Sequence, residues 1–197
     1  MKQKRIAKIE RITSETKIKL ELNLDGSGKA DVKTGIGFLD HMLDLWVFHS
    51  LFNLKLTCKG DLEIDAHHTT EDIALALGSA LAEAVGEKKG IVRYGFSYVP
   101  MDEALLRVAL DFSGRPEFVF FGEFVQASIG KLDTQMIRHF FKSLAMSSKI
   151  TLHMSILYGI NDHHKCEGLF KALGRALRQA IEIDPRRTGV TSTKGIL

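Results

Sequence analysis

The sequence predicts an α+β protein built from two similar halves, and three observations support this class. Several segments alternate apolar and polar residues, which is typical of half-buried strands, and others carry apolar residues at helical spacing. These patterns recur in the same order over about residues 1–90 and 91–183, and an irregular tail follows. With 197 residues, 45% of them hydrophobic, the chain is long enough for one domain formed by two fused halves.

The first half begins with strand patterns and ends with a long helix. Strict alternation predicts a strand over "KIKLELNL", and "DGSG" follows it as a turn. A helix is predicted from about Gly37, over "GFLDHMLDLWVFHSLF". Two short strands are predicted at "LKLTCKG" and "LEI". The last element is a helix from about His67 to Glu87, with Asp65 as its predicted N-cap.

The second half repeats this order. Alternation predicts a strand over "ALLRVALDF", a turn at "SGRP" and a further strand at "EFVFF". The segment "DTQMIRHFFKSLAMSS" has helical periodicity, and "ITLHMSIL" alternates again. A final helix is predicted from about His163 to Ile183, with Asn161 as its N-cap. The tail "DPRRTGVTSTKGIL" has no regular pattern.

An internal repeat joins the two halves at the level of single residues. A shift of 96 residues aligns "HHTTEDIALALGSALAEAV" with "HHKCEGLFKALGRALRQAI". Each half also carries a helical histidine 24 to 26 residues before its H-H-x-x-E motif. The polar residues that correspond are His41 with His139, His67 with His163, His68 with His164, and Glu71 with Glu167.

These eight residues are candidate metal ligands. Imidazole and carboxylate groups without thiolate suit Mn, Fe, Co, Ni or Zn. On a helix, residues four apart project to one side, so His67 and Glu71 can share an ion while His68 points elsewhere. The duplicated set could therefore form two sites of four ligands, within one chain or between chains, with open positions for catalysis. The alternative is that the helix-end histidines are solvated and that His41 is a core residue.

Further polar residues are candidates for binding an anion. Glu15 opens a strand, and Arg93 and Arg115 are predicted in turns. A guanidinium group suits phosphate because its geometry matches the anion's oxygens. Ser192 and Lys194, in "TSTKG", offer a hydroxyl and an ammonium group. Taken singly, each of these residues is better explained by ordinary solvent exposure.

Charge and composition exclude several other classes. The formal charge of +3 is small, and no basic run is interleaved with aromatic residues, so a nucleic-acid partner is not expected. No apolar run is long enough to span a membrane. The two cysteines, Cys58 and Cys166, are far apart and form no CxxC motif, which indicates neither disulfides nor a thiolate zinc site. We expect a cytoplasmic protein.

Ten motifs in order resemble the imidazoleglycerol-phosphate dehydratase family: "RITSETK", "GIGFLDHML", "DAHHTTEDIALALG", "GIVRYG", "MDEAL", "LDFSGRP", "HFFKSL", "HHKCEGLFKALGRAL", "DPRR" and "STKG". The resemblance covers nearly the whole chain. It implies that each half is a small mixed sheet with helices on one face, and that the helices pack between the two sheets. It also implies a homo-oligomeric shell of twenty-four subunits, with two Mn²⁺ per active site held at subunit interfaces.

The resemblance also assigns residues to roles. The family's metal ligands correspond to the eight residues of the repeat. Its substrate and phosphate contacts correspond to Glu15, Arg93, Arg115, Ser192 and Lys194. The implied reaction is the dehydration of D-erythro-imidazoleglycerol phosphate to imidazole-acetol phosphate in histidine biosynthesis.

The implied mechanism explains the residue types. The carbon-bound hydrogen that is lost is not acidic, because no carbonyl neighbours it, so the imidazole ring must drive expulsion of the hydroxyl. Two metal ions on the ring nitrogens would favour the imidazolate and a diazafulvene-like intermediate. Glu15 is the expected acid/base group, although Glu71, Glu167 or a metal-bound water could move the same proton.

Two other functions fit the same ligands. A dinuclear metallohydrolase would activate water against a phosphoester and release inorganic phosphate. A metal-storage or structural shell would need the metal for assembly and would have no turnover. Formation of a ketone from imidazoleglycerol phosphate distinguishes the dehydratase from both.

Overall fold

Two four-stranded sheets and four helices make up most of the fold, in the computed structural model that describes residues 5–195. The first half contains β1 (Ile6–Ile12), β2 (Thr16–Asn23), β3 (Lys29–Lys33), α1 (Gly37–Ser50), β4 (Asn53–Gly60) and α2 (His67–Val85). The second half contains β5 (Tyr94–Met101), β6 (Ala104–Asp111), β7 (Glu117–Phe121), α3 (Thr134–Ser148), β10 (Thr151–Tyr158) and α4 (Asp162–Ala180). A small hairpin, β8 (Ser128–Ile129) and β9 (Leu132–Asp133), precedes α3.

The two sheets have equivalent strand orders. The first is β1-β2-β4-β3 and the second is β5-β6-β10-β7. In both sheets the first three strands are antiparallel, and the fourth lies parallel to its neighbour. Both sheets are therefore mixed, as the family resemblance implies.

The helices pack between the sheets and cross from one half to the other. Helix α2 covers β1 and β2, while α4 covers β5 and β6. Helix α1 packs on α4, and α3 packs on α2. The aromatic side chains Phe140, Phe141 and Phe170 meet at the centre of this layer and are buried. The expected α+β architecture is confirmed, including the position of the helices.

Two glycines at equivalent repeat positions allow the close approach of the helices. A Cβ added to Gly78 of α2 would lie 2.6 Å from the carbonyl oxygen of Leu144 in α3. A Cβ added to Gly174 of α4 would lie 2.7 Å from the carbonyl oxygen of Trp46 in α1. Both separations are shorter than van der Waals contact, so a side chain at either position would force the helices apart.

The predicted elements are found with several corrections, of which the smallest is that α1 and α2 each end two residues earlier than predicted, at Ser50 and Val85. "LEI" is a turn rather than a strand: it is closed by a hydrogen bond from the amide of Ile64 to the carbonyl of Asp61, and Ile64 is 67% exposed. The N-cap position of α2 is Ala66, although the carboxylate of Asp65 still accepts a hydrogen bond from the amide of His67. Helix α4 begins at Asp162 and ends at Ala180, three residues earlier than predicted, while Asn161 caps it as expected.

The outer faces of the two sheets differ strongly. On the second sheet, one row of neighbouring residues is Phe96, Ala109, His153 and Val119, of which Phe96 is 63% exposed. Tyr94, Tyr98 and Phe121 extend this exposed apolar face. The corresponding row on the first sheet is Lys8, Glu21, Lys55 and Asp31. The second sheet therefore has an apolar outer face and the first a charged one.

Among residues 5–195, no helix is both long and apolar enough to cross a membrane.

Candidate metal centre

One group of potential ligands forms where α2 meets α3. His67, Glu71 and His139 offer ligand atoms that all lie within 4.8 Å of one another, and we call this group the α2–α3 cluster. The Nε2 atoms of His139 and His67 lie 3.1 and 3.7 Å from the carboxylate oxygens of Glu71. A cavity of about 430 Å³ opens beside it and is lined in part by His67, Lys131 and Gln135. The cluster thus combines close ligand atoms with room for a small molecule.

A second group forms where α1 meets α4. His41, His163 and Glu167 also have ligand atoms within 4.8 Å of one another, and we call them the α1–α4 cluster. The Nε2 atoms of His163 and His41 lie 3.2 and 3.4 Å from the same oxygen of Glu167. His41 is exposed, so it is not the core residue that the alternative interpretation required.

Each cluster joins the two halves of the chain. In the α2–α3 cluster, the helical histidine of the second half lies beside the H-H-x-x-E motif of the first half. In the α1–α4 cluster, the helical histidine of the first half lies beside the motif of the second half. Glu71 therefore accompanies His67 and His139, a question that the sequence left open. The crossed arrangement follows from the packing of α2 on α3 and of α1 on α4.

The α2–α3 cluster has an atom that fits a bound cation. The Nε2 atom of His139 is shielded from solvent and makes no hydrogen bond, although it lies close to Glu71. An unsatisfied buried nitrogen is costly unless another partner satisfies it. Two imidazoles and one carboxylate are a suitable donor set for a first-row divalent metal. The residues present therefore fit a metal ion of the kind that the family resemblance implies.

His68 and His164 stand outside both clusters. The Nδ1 atom of His68 lies 2.9 Å from Asp61, and that of His164 lies 2.7 Å from Glu103. These hydrogen bonds raise the pKa of both imidazoles. Within one chain the eight predicted ligands thus form two groups of three, and two histidines are left over.

Glu103 is held in place on the side away from His164. One of its carboxylate oxygens accepts hydrogen bonds from the backbone amides of Ile160 and Asn161, at 3.0 and 2.7 Å. The bond from the Asn161 amide, followed by that from His164, lowers the pKa of Glu103 to about 2. The carboxylate is therefore ionised and its orientation is fixed.

Glu15 lies at the edge of this region. Its Oε1 atom is 3.7 Å from Nε2 of His68. The turn that carries it is held to α2, because Thr16 donates a hydrogen bond of 2.5 Å to buried Asp72, which is also paired with Arg11. Asp72 directly follows Glu71, so one anchored segment positions Glu15 relative to the first H-H-x-x-E motif.

Lys171 is a neighbour that the sequence did not single out. Its Nζ atom lies 2.6 Å from Oε1 of Glu167, on the carboxylate oxygen that does not face the histidines. Burial alone would raise the pKa of Glu167, but the hydrogen bond and charge of Lys171 and the hydrogen bond from His163 lower it. The equivalent repeat position is Leu75, so the two clusters differ in charge.

The predicted anion-binding residues have different environments. Arg93 is largely buried and its guanidinium binds both carboxylate oxygens of Asp111 and the carbonyl oxygen of Thr191. It therefore holds the C-terminal tail against the second sheet. Arg115, Ser192 and Lys194 are wholly or partly exposed, and the Ser192 hydroxyl accepts a hydrogen bond from the Lys194 amide.

Asp61, Glu103 and Lys171 were missed for different reasons. Asp61 and Glu103 are not equivalent in the repeat, so the comparison of halves gives no signal for them. Lys171 lies four residues after Glu167, which on a helix is a pairing distance that could have been noticed.

The family model for imidazoleglycerol-phosphate dehydratase matches residues 34–177. An imidazoleglycerol-phosphate dehydratase of Clostridium botulinum (strain Langeland) is 55% identical over 192 residues, which is 98% of each chain. One of Chloroflexus aurantiacus is 55% identical over 194 residues, covering 98% of this chain and 95% of the relative.

Solved structures of imidazoleglycerol-phosphate dehydratases share this fold. The Staphylococcus aureus crystal structure matches with a TM-score of 0.83 and 37% identity, over 91% of this chain and 99% of the other. The Pyrococcus furiosus structure matches with a TM-score of 0.82 and 35% identity, over 96% and 100% of the two chains. On this evidence of sequence, fold and site chemistry, the chain belongs to the imidazoleglycerol-phosphate dehydratase family.

Proposed function

We propose that this chain dehydrates D-erythro-imidazoleglycerol phosphate to imidazole-acetol phosphate in histidine biosynthesis, using two Mn²⁺ ions per active site. The observation that carries the proposal is the pair of His-His-Glu clusters, each built from both halves of the chain. Two similar sites suit a substrate whose imidazole ring has two nitrogens. The family membership supplies the reaction class, that of a hydro-lyase.

Neighbouring subunits complete the two sites in this proposal. His68 and His164 lie outside the clusters of their own chain, and their Nδ1 atoms are already occupied by carboxylates. Their Nε2 atoms lie 3.7 and 3.6 Å from the carboxylates of Glu15 and Asp102, beyond hydrogen-bond distance, and can reach a cluster of another copy. Each metal would then have three ligands from one chain and a histidine from a neighbour, which leaves coordination positions open for substrate.

The proposed assembly is a homo-oligomer, a shell of twenty-four subunits with the sites at the interfaces. The apolar outer face of the second sheet supports contacts between copies, because monomeric proteins rarely leave such a patch exposed. The charged face of the first sheet suits solvent. We also infer that the two halves arose by duplication and form a single domain, and that the protein works in the cytoplasm.

The chain's own residues bind the substrate and move its proton. When bound, the metal ions would lower the pKa of the imidazole ring and stabilise its anionic form. Glu15 donates a proton to the hydroxyl, which leaves as water, and its carboxylate then takes the carbon-bound proton to give an enol that becomes the ketone, a role that its position beside His68 allows. Arg115, Ser192 and Lys194 bind the phosphate, while Arg93 orients the tail that carries two of them.

The test is incubation of the purified protein with imidazoleglycerol phosphate and Mn²⁺. The expected product is imidazole-acetol phosphate, detected as a ketone by mass spectrometry, and a chelator should abolish it until Mn²⁺ is restored. Full activity in chelated, metal-free protein would disprove the two-metal mechanism. Release of inorganic phosphate without a ketone would instead identify a metallohydrolase.

A further inference from the structure

Two carboxylates at unrelated repeat positions make the same contact with the two histidines outside the clusters. Asp61 holds Nδ1 of His68 and Glu103 holds Nδ1 of His164. Asp61 directly follows β4 of the first half, whereas Glu103 directly precedes β6 of the second, so the two carboxylates are not equivalent in the repeat and duplication of one ancestral carboxylate does not explain the pair. The common feature is the ring nitrogen that each carboxylate binds. An ionised carboxylate only accepts hydrogen bonds, so Nδ1 must carry the proton in both rings.

We propose that Glu103 is a positioning residue that fixes the Nδ1–H tautomer of His164, so that Nε2 presents its lone pair as the fourth metal ligand in a neighbouring subunit. The proposal rests on the function proposed above. A histidine that binds a metal through one nitrogen commonly donates its other ring N–H to a carboxylate, which sets both tautomer and ring orientation. Asp61 does the same for His68.

Glu103 is a better test of this idea than Asp61, because its orientation is forced. Its Oε1 atom accepts from two backbone amides, those of Ile160 and Asn161. An amide NH₂ group cannot replace that oxygen, since donors would then face donors. In Glu103→Gln the oxygen therefore stays on the backbone, and the NH₂ group must face His164.

The substitution then reverses the tautomer. With a donor facing it, Nδ1 of His164 must become the acceptor, and the ring proton moves to Nε2. Asp102, whose carboxylate is 3.6 Å from Nε2 and largely exposed, stabilises that arrangement further. An Nε2–H nitrogen has no lone pair for a metal. The two backbone hydrogen bonds from Ile160 and Asn161 are meanwhile retained.

Glu103→Ala distinguishes the effect on the His164 tautomer from the effect of the backbone hydrogen bonds that Glu103 accepts. It removes both backbone hydrogen bonds, so it should destabilise the protein more than Glu103→Gln does. It also leaves His164 free to adopt either tautomer, so it should harm metal binding less. If Glu103 has a purely structural role, the less stable of the two variants should also bind the metal more weakly. If Glu103 positions His164, Glu103→Ala should be the less stable variant and Glu103→Gln the weaker metal binder.

The experiment measures Mn²⁺ binding by equilibrium dialysis and the melting temperature by calorimetry, on the assembled protein. For Glu103→Gln we expect one of the two Mn²⁺ ions per chain to bind about 10- to 100-fold more weakly, the typical cost of losing an outer-shell partner. The melting temperature should stay above that of Glu103→Ala. Glu10→Gln is the matched control: it makes the same change at an exposed position of β1, on the charged first sheet.

Asp61→Asn provides a second comparison that does not depend on the alanine variant. Oδ1 of Asp61 has no hydrogen-bond partner, so an asparagine can turn its oxygen toward His68 and keep the tautomer. It should therefore weaken Mn²⁺ binding less than Glu103→Gln. Should the alanine variant fail to fold, this comparison still tests the tautomer.

The outcomes separate this proposal from the proposed function. Glu103→Gln that binds both Mn²⁺ ions like the wild type would overturn the positioning role and leave the dehydratase intact. Mn²⁺ affinities that rank the two Glu103 variants in the same order as their melting temperatures would also overturn the positioning role. A wild-type protein that binds no Mn²⁺ but forms the ketone would overturn both the metal mechanism and this inference.

Discussion

The two clusters show how the same set of two histidines and one glutamate acquires different electrostatic environments. Glu167 shares its carboxylate between two histidines and Lys171, while at the position equivalent to Lys171 the other cluster has Leu75. A nearby ammonium group reduces the net negative charge that a cation meets. A cation in the α1–α4 cluster therefore meets less net negative charge than one in the α2–α3 cluster.

Removal of His139 should empty one cluster and spare the other. In His139→Ala we expect the Mn²⁺ content to fall from two ions to one per chain, because His139 belongs to the α2–α3 cluster alone. The loss of a direct ligand should reduce activity by more than the about 10- to 100-fold typical of an outer partner. Metal content is measured by inductively coupled plasma mass spectrometry.

His153→Ala is the control for this variant, since His153 is exposed on β10 and belongs to neither cluster. Two Mn²⁺ ions bound with unchanged affinity in His139→Ala would show that the α2–α3 cluster is not a metal site.

Glu15 should affect turnover without affecting the metal. Glu15→Gln keeps the shape of the side chain and removes its ability to take a proton, so kcat should fall about 10²- to 10⁴-fold. The Mn²⁺ stoichiometry should not change, because Glu15 lies 3.7 Å from His68 and outside both clusters. Steady-state kinetics with metal analysis measure both properties.

Glu10→Gln, at an exposed position of β1, is the matched control. Loss of metal in proportion to activity in Glu15→Gln would contradict a proton-transfer role, and would mean that Glu15 supports His68 instead.

At the scale of whole elements, regular alternation predicted β2, β6 and β10, whose inward residues are buried as expected. The edge strands β1, β3 and β5 were not predicted. An edge strand is hydrogen-bonded to a neighbouring strand on one side only. It therefore tolerates a residue that lacks a backbone N–H donor, such as Pro100 in β5. The repeat predicted which residues of the two halves correspond. It could not predict which helix of one half packs against which helix of the other, because those contacts join residues far apart in the sequence.

The glycines of the helix layer should be sensitive to a single added methyl group. Gly174→Ala would bring Cβ within 2.7 Å of the Trp46 carbonyl oxygen and 3.1 Å of the Ser50 amide, both backbone atoms that cannot rotate away. We expect a loss of about 1–3 kcal/mol in the free energy of unfolding, as is typical of overpacking. Separation of α1 from α4 should also weaken the metal site that contains His41.

Gly37→Ala is the control, because nothing lies within 4 Å of the added Cβ. Denaturant unfolding gives the free energy, and metal titration gives the affinity. A Gly174→Ala protein as stable as the control would show that the helices do not need this close approach.

The C-terminal tail should depend on Arg93. A lysine there keeps the charge but cannot bind Asp111 with two nitrogens and Thr191 with a third. Loss of a hydrogen bond to a charged group costs about 1.5–3 kcal/mol. In Arg93→Lys we therefore expect faster hydrogen exchange over residues 189–195 and a higher KM, since Ser192 and Lys194 lie in that tail.

Arg186→Met is the control, because Arg186 is 87% exposed and pairs only within the tail. Exchange is measured by mass spectrometry on peptides. If KM rises in Arg93→Lys while exchange in the tail stays unchanged, Arg93 acts on the phosphate directly.

At the scale of the whole molecule, the two halves have similar folds, but the outer face of one sheet is charged and that of the other is apolar. In both sheets the strand positions that face the helices are apolar, because each sheet must cover the helix layer. The outer positions are under no such constraint, and they have become charged on the first sheet and aromatic on the second. The common fold of the two halves thus accounts for the shared core, while the surfaces reflect what each sheet faces. The assembly itself was expected from the family resemblance alone.

The metal ions should also hold copies of the chain together. If His68 and His164 each complete a cluster of a neighbouring subunit, every ion bridges two chains, and its removal breaks a contact between them. Chelation with EDTA should therefore release smaller oligomers, held by the apolar outer face of the second sheet, and Mn²⁺ should restore the large species. Mass photometry at fixed protein concentration measures both. The double variant His68→Ala/His164→Ala should remain small even with Mn²⁺ present, whereas the wild type should assemble. A large species that survives full removal of the metal would mean that the histidines outside the clusters do not bridge subunits, and that the apolar face alone builds the assembly.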